Sequence, residues 1–248
     1  MRFFALIIGT EILNDRREDK HLPFLKKELA NYGYSLEGVF FIADKSELII
    51  SAITLIASME DAVLLSFGGI GSTPDDLTRE CAAIALRDGN LYEHKKAKEI
   101  IESKLGEKAY PHAINMAYLP KNSDIIDNPF NGMPAFSLDN RFFFMPGFPE
   151  MSHPMSKKIL TSLIKEPKKT FRYSLTALCK ESEFIEIMNQ VPSDVECSSL
   201  PKIYSDGPRA VLSVSSENEQ SAKDTFAMFV AHLDTRSIIY SLYDEEAR

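Results

Sequence analysis

Ser66-Phe-Gly-Gly-Ile-Gly-Ser-Thr-Pro-Asp-Asp-Leu-Thr78 is the stretch whose reading decides the fold. It continues out of Ala62–Phe67, a short unbroken apolar run of the kind that forms a strand buried on both faces. Beyond it the spacing predicts a helix opening at Asp75 or Asp76 and running through about Leu86, with Leu77, Cys81, Ile84 and Ala85 on its apolar side. A glycine turn between such a strand and helix lies at the carboxyl edge of a sheet, where open α/β folds bind ligands. Gly68, Gly69 and Gly71 allow positive φ and a close approach to bare amides, and Ser72 and Thr73 add hydroxyls. The helix start directs its amides and its positive dipole end at the same place. The run lacks the Lys-Ser/Thr pair of a Walker A loop and is not G-x-G-x-x-G. Its composition also suits a turn that only caps a helix.

Outward from this centre the pattern repeats. Phe3–Ile8 reads as a buried strand ended by Gly9-Thr10. From Asp19 the spacing turns helical, with Leu22, Leu25, Leu29 and Tyr32 on one stripe and Gly33 as terminator. Leu36–Ile42 is a second strand, and Asp44 is the expected N-cap of a helix carrying Leu48, Ile49, Ala52, Ile53 and Ile56. Alternating strands and helices specify an α/β fold with a mostly parallel sheet covered on both faces. Glu93–Leu105 is another amphipathic helix, followed by a loop-rich region containing Pro111, Pro120, Pro129 and Pro134. Phe142–Met145 reads as a further buried strand, broken by Pro146-Gly-Phe-Pro149, and a helix from about Pro149 to Ile164 closes the unit. Glu166-Pro-Lys-Lys169 marks the domain boundary, giving domains 1–166 and 167–248. The second domain reads as a small α+β unit of βαββαβ type: strand Phe171–Leu178, helix Ser182–Val191, strands near Val195–Tyr204 and Ala210–Ser215, helix Asn218–Leu233 and strand Ser237–Tyr243.

Bulk properties narrow the class of function. The chain has 248 residues with 44% hydrophobic and 26% charged, the balance of a globular protein. No apolar run approaches the roughly 18 residues of a membrane span, and Glu11 follows the first apolar stretch too soon for a signal peptide. Cys81, Cys179 and Cys197 are scattered and odd in number, so no zinc site or disulfide framework is indicated and a cytoplasmic location is expected. A net charge of −8 disfavours general nucleic-acid binding, and no GxxG loop supports an RNA-binding role for the second domain. A small phosphorylated ligand remains compatible with an acidic chain where amides, a helix end or a metal supply the positive field.

Three further segments bear on chemistry. Asp75-Asp76 either complements the helix dipole or recruits a divalent cation beside the phosphate cradle. Thr78 offers a hydroxyl to the ligand or to the helix start. Glu11, in Gly9-Thr-Glu-Ile-Leu13, points a carboxylate toward the same edge as a metal ligand, a general base or a capping residue. Pro146-Gly147 precedes a second helix start, and two amide-rich helix ends facing one cleft suit a diphosphate. His21, His94, His112, His153 and His232 show no metal-ligand spacing and read as surface or satisfied residues.

Taken in order, these segments resemble the molybdopterin-binding-like family, in particular the amino-terminal domain of competence/damage-inducible CinA proteins. Gly9-Thr-Glu-Ile-Leu13 is similar to its first signature, and Gly68-Gly-Ile-Gly-Ser-Thr-Pro-Asp-Asp-Leu-Thr78 to its hallmark Gly-Gly-x-Gly-x-Thr-x-Asp-Asp-x-Thr. Asn115-Met-Ala with Leu119-Pro120 and Asn128-Pro129 resemble the middle signature, and Met145-Pro-Gly-Phe-Pro-Glu-Met151 the last. The chain departs from the family at Asn14 and Asp19-Lys-His21, in place of Gly and Asp-Thr-Asn, and at Asn131-Gly-Met-Pro-Ala135, in place of Gly-Thr-Ala-Pro-Gly. The resemblance implies a three-layer α/β/α sandwich followed by the small domain. It implies a nucleotide or molybdopterin held by its phosphate, with a divalent metal (Mg, Mn or Co). Gly69, Gly71, Ser72 and Thr73 would bind phosphate, and Asp76 and Glu11 would hold metal or orient water, assisted by Asp75. The activity implied is a metal-dependent pyrophosphatase acting on ADP-ribose-like dinucleotides. The alternatives are adenylyl transfer in molybdenum cofactor biosynthesis and a non-catalytic nucleotide or pterin binder. A homo-oligomer is expected, with neither nucleic acid nor membrane as partner.

Overall fold

The computed structural model describes residues 1–205 and 207–243, and the chain forms two compact units, Met1–Glu166 and Pro167–Arg248. In the first unit, β1 (Arg2–Ile8), β2 (Leu36–Ile42) and β3 (Ala62–Phe67) are the apolar runs of the sequence. They alternate with the one-turn helix α1 (Thr10–Leu13), α2 (His21–Ala30), α3 (Ser46–Ala57) and α4 (Thr78–Leu86). Then come β4 (Leu91–Glu93), α5 (Lys95–Leu105), β5 (Tyr118–Pro120), β6 (Asp124–Ile126), β7 (Ala135–Leu138), β8 (Phe142–Met145) and α6 (Pro149–Leu163).

Six strands form one mixed sheet in the order β2-β1-β3-β8-β7-β6. The pairs β2–β1, β1–β3 and β3–β8 are parallel, and β7 runs antiparallel to both β8 and β6. The two innermost parallel strands, β1 and β3, are buried almost throughout, because helices cover both faces. Leu25 and Leu29 of α2, Ile49, Ile53 and Ile56 of α3 and Leu160 of α6 close the core over Phe3, Leu6, Ile7, Leu64 and Phe67. At the end of α2, Gly33 takes φ +71° and Tyr34 N–H donates to the Leu29 carbonyl, which stops the helix as its position suggested.

Several expected details are corrected. Helix α4 starts at Thr78, because Asp75 and Asp76 are used in the turn before it. Its buried face carries Thr78, Arg79, Cys81, Ala82 and Ala83, while Ile84 is exposed. Asp44 does not cap α3, whose N-cap is Lys45; its carboxylate instead accepts from Thr10 N–H and Oγ1, each at 2.8 Å. Glu93, read as the start of a helix, ends β4 instead, and the helix begins at Lys95; within the region read as loop lie β5, paired with β4, and β6 and β7, which extend the main sheet.

The second unit contains β9 (Phe171–Ala177), a 3-10 turn at Glu181–Phe184, α7 (Ile185–Met188), β10 (Glu196–Tyr204), β11 (Gly207–Ser216), α8 (Glu219–Thr235) and β12 (Tyr240–Tyr243). The strands form an antiparallel sheet in the order β10-β11-β9-β12. Its core is Leu175, Phe184, Leu212, Val214, Phe229 and Leu233. The helix expected over Ser182–Val191 is only this 3-10 turn and α7, since the chain turns at Gln190 and Val191 ahead of Pro192. Among the described residues no helix is long and apolar enough to cross a membrane.

Candidate functional site

The carboxyl ends of β2, β1, β3 and β8 lie side by side on one edge of the sheet, because all four strands run the same way. That edge gathers Asp44, Gly9–Glu11, Gly68–Gly71 and Pro146-Gly147. Contact there is backbone on backbone. Gly68 N–H donates to the Met145 carbonyl at 2.9 Å, and a Cβ on Gly147 would stand 3.3 Å from Gly68 Cα. Gly68 itself, at φ +101°, has no room for a side chain: a Cβ would meet the Ile8 carbonyl oxygen at 2.4 Å. Gly69, at φ +68°, would meet Thr78 Oγ1 at 2.3 Å.

Helix α4 clamps the turn by its carbonyls. Thr78 Oγ1 donates to Gly68 O at 3.0 Å, Thr78 N–H to Gly69 O at 2.9 Å, and Arg79 Nη2 to Gly71 O at 2.9 Å. A trans peptide holds its C=O and its N–H in opposite directions. Each clamped carbonyl therefore sends the next amide, at Gly69, Ile70 or Ser72, away from the helix. Among the described residues, the N–H groups of Gly69, Ile70, Gly71 and Ser72 have no acceptor. Successive unpaired donors of this kind are the raw material of backbone anion nests. Thr78, expected either at the ligand or at the helix start, is fully buried, and its hydroxyl serves the turn.

Downstream, Thr73 N–H and Oγ1 both donate to Asp76 Oδ2, at 2.9 and 2.5 Å, and Asp76 N–H returns a bond to Thr73 O at 3.0 Å. Thr73 is thereby engaged inside the turn. Asp76 Oδ1 accepts no bond among the described residues, and Asp75 beside it is exposed. Gly71 is glycine because a Cβ would lie 2.5 Å from Asp76 Oδ2.

At the end of β1, the half-exposed Glu11 carboxylate folds back over Gly9 and pairs with Arg17 at 3.7 Å. Arg17 also stacks over the Phe148 ring, 5.1 Å from its centroid, at the start of α6. Neither α4 nor α6 has a side-chain cap. Among the described residues, no group of three or more His, Cys, Asp or Glu side chains is arranged to hold a metal ion, so Glu11 and Asp76 are not part of a ready-made metal centre.

Two residues at this edge were not singled out as site residues. His21 is 3% exposed, stacks on Phe67 at 4.3 Å between centroids, and places Nε2 3.3 Å from the Gly147 carbonyl while Nδ1 has no partner. Burial lowers its pKa to about 4, with His153 and Arg17 lowering it further against the opposing pull of Asp19 and the Gly147 carbonyl. Arg79 is 5% exposed. Its guanidinium donates to the carbonyls of Asn115, Tyr118 and Gly71, and buried Nε has no partner. The sequence held a signal for it: Arg79 precedes Ala82 and Ala83 by three and four residues, the spacing of a buried helical face. Beside it opens a cleft of about 730 Å³ lined by Ser72, Asp76, Leu77, Leu91, Asn115 and Tyr118, among others.

A mixed α/β sheet with a glycine turn at the carboxyl edge of its parallel strands is the architecture in which open α/β folds bind ligands. The chain belongs to the family described as the probable molybdopterin binding domain, whose model matches residues 4–166. It is 31% identical to a CinA-like protein of Fusobacterium nucleatum over 170 residues, 67% of this chain and 41% of that protein. It is 32% identical to a CinA-like protein of Citrifermentans bemidjiense over 170 residues, 66% of this chain and 41% of that protein. The chain thus matches less than half the length of these relatives. Among solved structures it is similar to CinA from Thermoplasma acidophilum, a protein described as of unknown function, with a TM-score of 0.59 and 26% identity, covering 66% of this chain and 99% of that one.

Proposed function

We propose that the nest at Gly69–Ser72 binds the phosphate of a nucleotide or pterin and that the protein cleaves the diphosphate of an ADP-ribose-like dinucleotide with a divalent cation. The observation that carries the binding step is the row of four amides without acceptors, three of them on peptides whose carbonyls are clamped. Such donors need no reorganisation when charge develops on a phosphoryl oxygen. The adjoining cleft, about 730 Å³, is of a size for the organic part of such a ligand.

The chain alone does not assemble a metal centre, but its residues fit a cation shared with the ligand. Mg²⁺-type ions are commonly held by one or two carboxylates together with substrate phosphates. Asp76 Oδ1 and the exposed Asp75 are the carboxylates available beside the nest. A divalent cation bound there supplies charge neutralisation of the phosphate oxygens. Gly69–Ser72 would bind the phosphate, the amino ends of α4 and α6 would add positive field, and the role proposed for Glu11, paired with Arg17 at the end of β1, is to orient water. Gly147 packs against Gly68 and so supports the turn from the end of β8.

A second reading is a nucleotide or molybdopterin binder without turnover, for which the row of unpaired amides and the adjoining cleft suffice. Incubation with ADP-ribose, FAD or NADH and Mg²⁺, Mn²⁺ or Co²⁺ separates the two. Release of AMP is the expected result. Ligand-dependent thermal stabilisation with no AMP under any metal would establish the binder, and adenylyl transfer to molybdopterin would register as incorporation of AMP into the pterin product.

A further inference from the structure

We infer that Arg79 is the positioning residue of the anion site: it aims the Ser72 amide into the nest and locks the glycine turn to the segment that forms the facing wall of the cleft. The inference rests on the phosphate-binding reading above and deepens it. The guanidinium is almost completely buried, yet its contacts are three backbone carbonyls, with no carboxylate among them. Glu80 and Asp76 act on it only through their charge, while burial lowers its pKa; an arginine nonetheless stays protonated. A buried cation contacting only neutral dipoles is costly to keep, and its place here follows from what those dipoles belong to. One carbonyl is Gly71 of the turn; the others belong to Asn115 and Tyr118, which themselves line the cleft.

The geometry divides the nest into two halves. Thr78 fixes the peptides that present the Gly69 and Ile70 amides, and Arg79 alone fixes the peptide that presents the Ser72 amide. A planar fork with five donors can span three carbonyls at once; a lysine ammonium, a compact charge on a flexible stem, cannot. The two clamps are therefore separable.

The test is amide NMR of the full chain titrated with inorganic pyrophosphate, in the wild type and in Arg79→Lys. In the wild type, the Gly69, Ile70 and Ser72 N–H resonances shift as the anion binds. In Arg79→Lys, the Gly69 and Ile70 shifts persist, the Ser72 shift is lost, and affinity falls roughly tenfold or more, the scale of one charge-assisted hydrogen bond. Retention of the Ser72 shift and the wild-type affinity in the folded variant overturns the role of Arg79 and leaves the anion site standing. Absence of any amide shift in the wild type overturns both. If Arg79→Lys does not fold, the wild type carries the test through hydrogen exchange of the Arg79 Nη protons. Saturating pyrophosphate slows it markedly if turn and guanidinium are one unit, and an unchanged rate overturns the inference.

Discussion

Acidification tests the environment of His21 most directly. The buried ring has a pKa near 4 against an ordinary 6.5, so the folded state favours the neutral imidazole. Between those two values the unfolded chain binds more protons than the folded one, and stability rises with pH. Above about 6.5 both states are neutral at this site, and below about 4 both are protonated, so the effect is confined to that window. At about 1.36 kcal/mol per pH unit, the loss on going from pH 7 to below 4 amounts to about 3 kcal/mol from this one side chain. His153, whose pKa burial also lowers, adds in the same direction. The His21→Asn variant keeps a polar group near the Gly147 carbonyl and cannot titrate. Urea unfolding of both proteins across pH 4 to 7.5 should give curves that converge toward low pH, the variant losing less stability on acidification. Parallel curves, or a His21 imidazole titrating near 6.5 by NMR, would refute the reasoning.

Three other outcomes follow from the same edge. Gly68→Ala places a methyl 2.4 Å from the Ile8 carbonyl oxygen at φ +101°; it should destabilise by at least about 1–2 kcal/mol and abolish pyrophosphate binding, read by thermal melting and calorimetry. Thr78→Val removes a buried donor to Gly68 O and should cost about 1–3 kcal/mol, with the Gly69 amide losing its response to pyrophosphate. Asp76→Asn keeps an oxygen that can accept from Thr73 but removes the charge, so the melting temperature should hold within a few degrees while AMP release from ADP-ribose disappears. Unchanged turnover would remove Asp76 from the mechanism.

What was legible in the sequence is what a single dominant force controls. A strand buried on both faces must be apolar almost throughout, so Ala62–Phe67 could be read to the residue, and the edge strand Leu36–Ile42, only partly buried, also matched the range read for it. The glycine turn was equally plain, because positive φ and close backbone approach leave few other choices at Gly68 and Gly69. The strands β4 to β7 were missed because each has three or four residues, too few for a period to show, and prolines lie in or near β5 to β7. Asp44 illustrates another limit: an aspartate ahead of a helix is a sound cap candidate, yet Thr10, thirty-four positions away, claims its carboxylate. For the same reason Asp75-Asp76 read as a helix start. Arg79 was not singled out in the sequence, and the carbonyls of Asn115 and Tyr118, brought in by tertiary packing, show what holds it.

The nest is built from peptide groups, and this bears on how the site tolerates change over generations. At Ile70 and Ser72 any side chain that spares the backbone conformation leaves the donors where they are, since the N–H groups belong to every residue but proline. Anion affinity is thus robust to drift at these positions and brittle at Gly68, Gly69, Thr78 and Arg79, where shape or clamping is at stake. On the proposed function, ligand identity is written elsewhere, in the cleft wall around Leu91, Asn115 and Tyr118. A domain of this design can exchange one phosphorylated ligand for another by remodelling that wall while its phosphate seat is inherited unchanged.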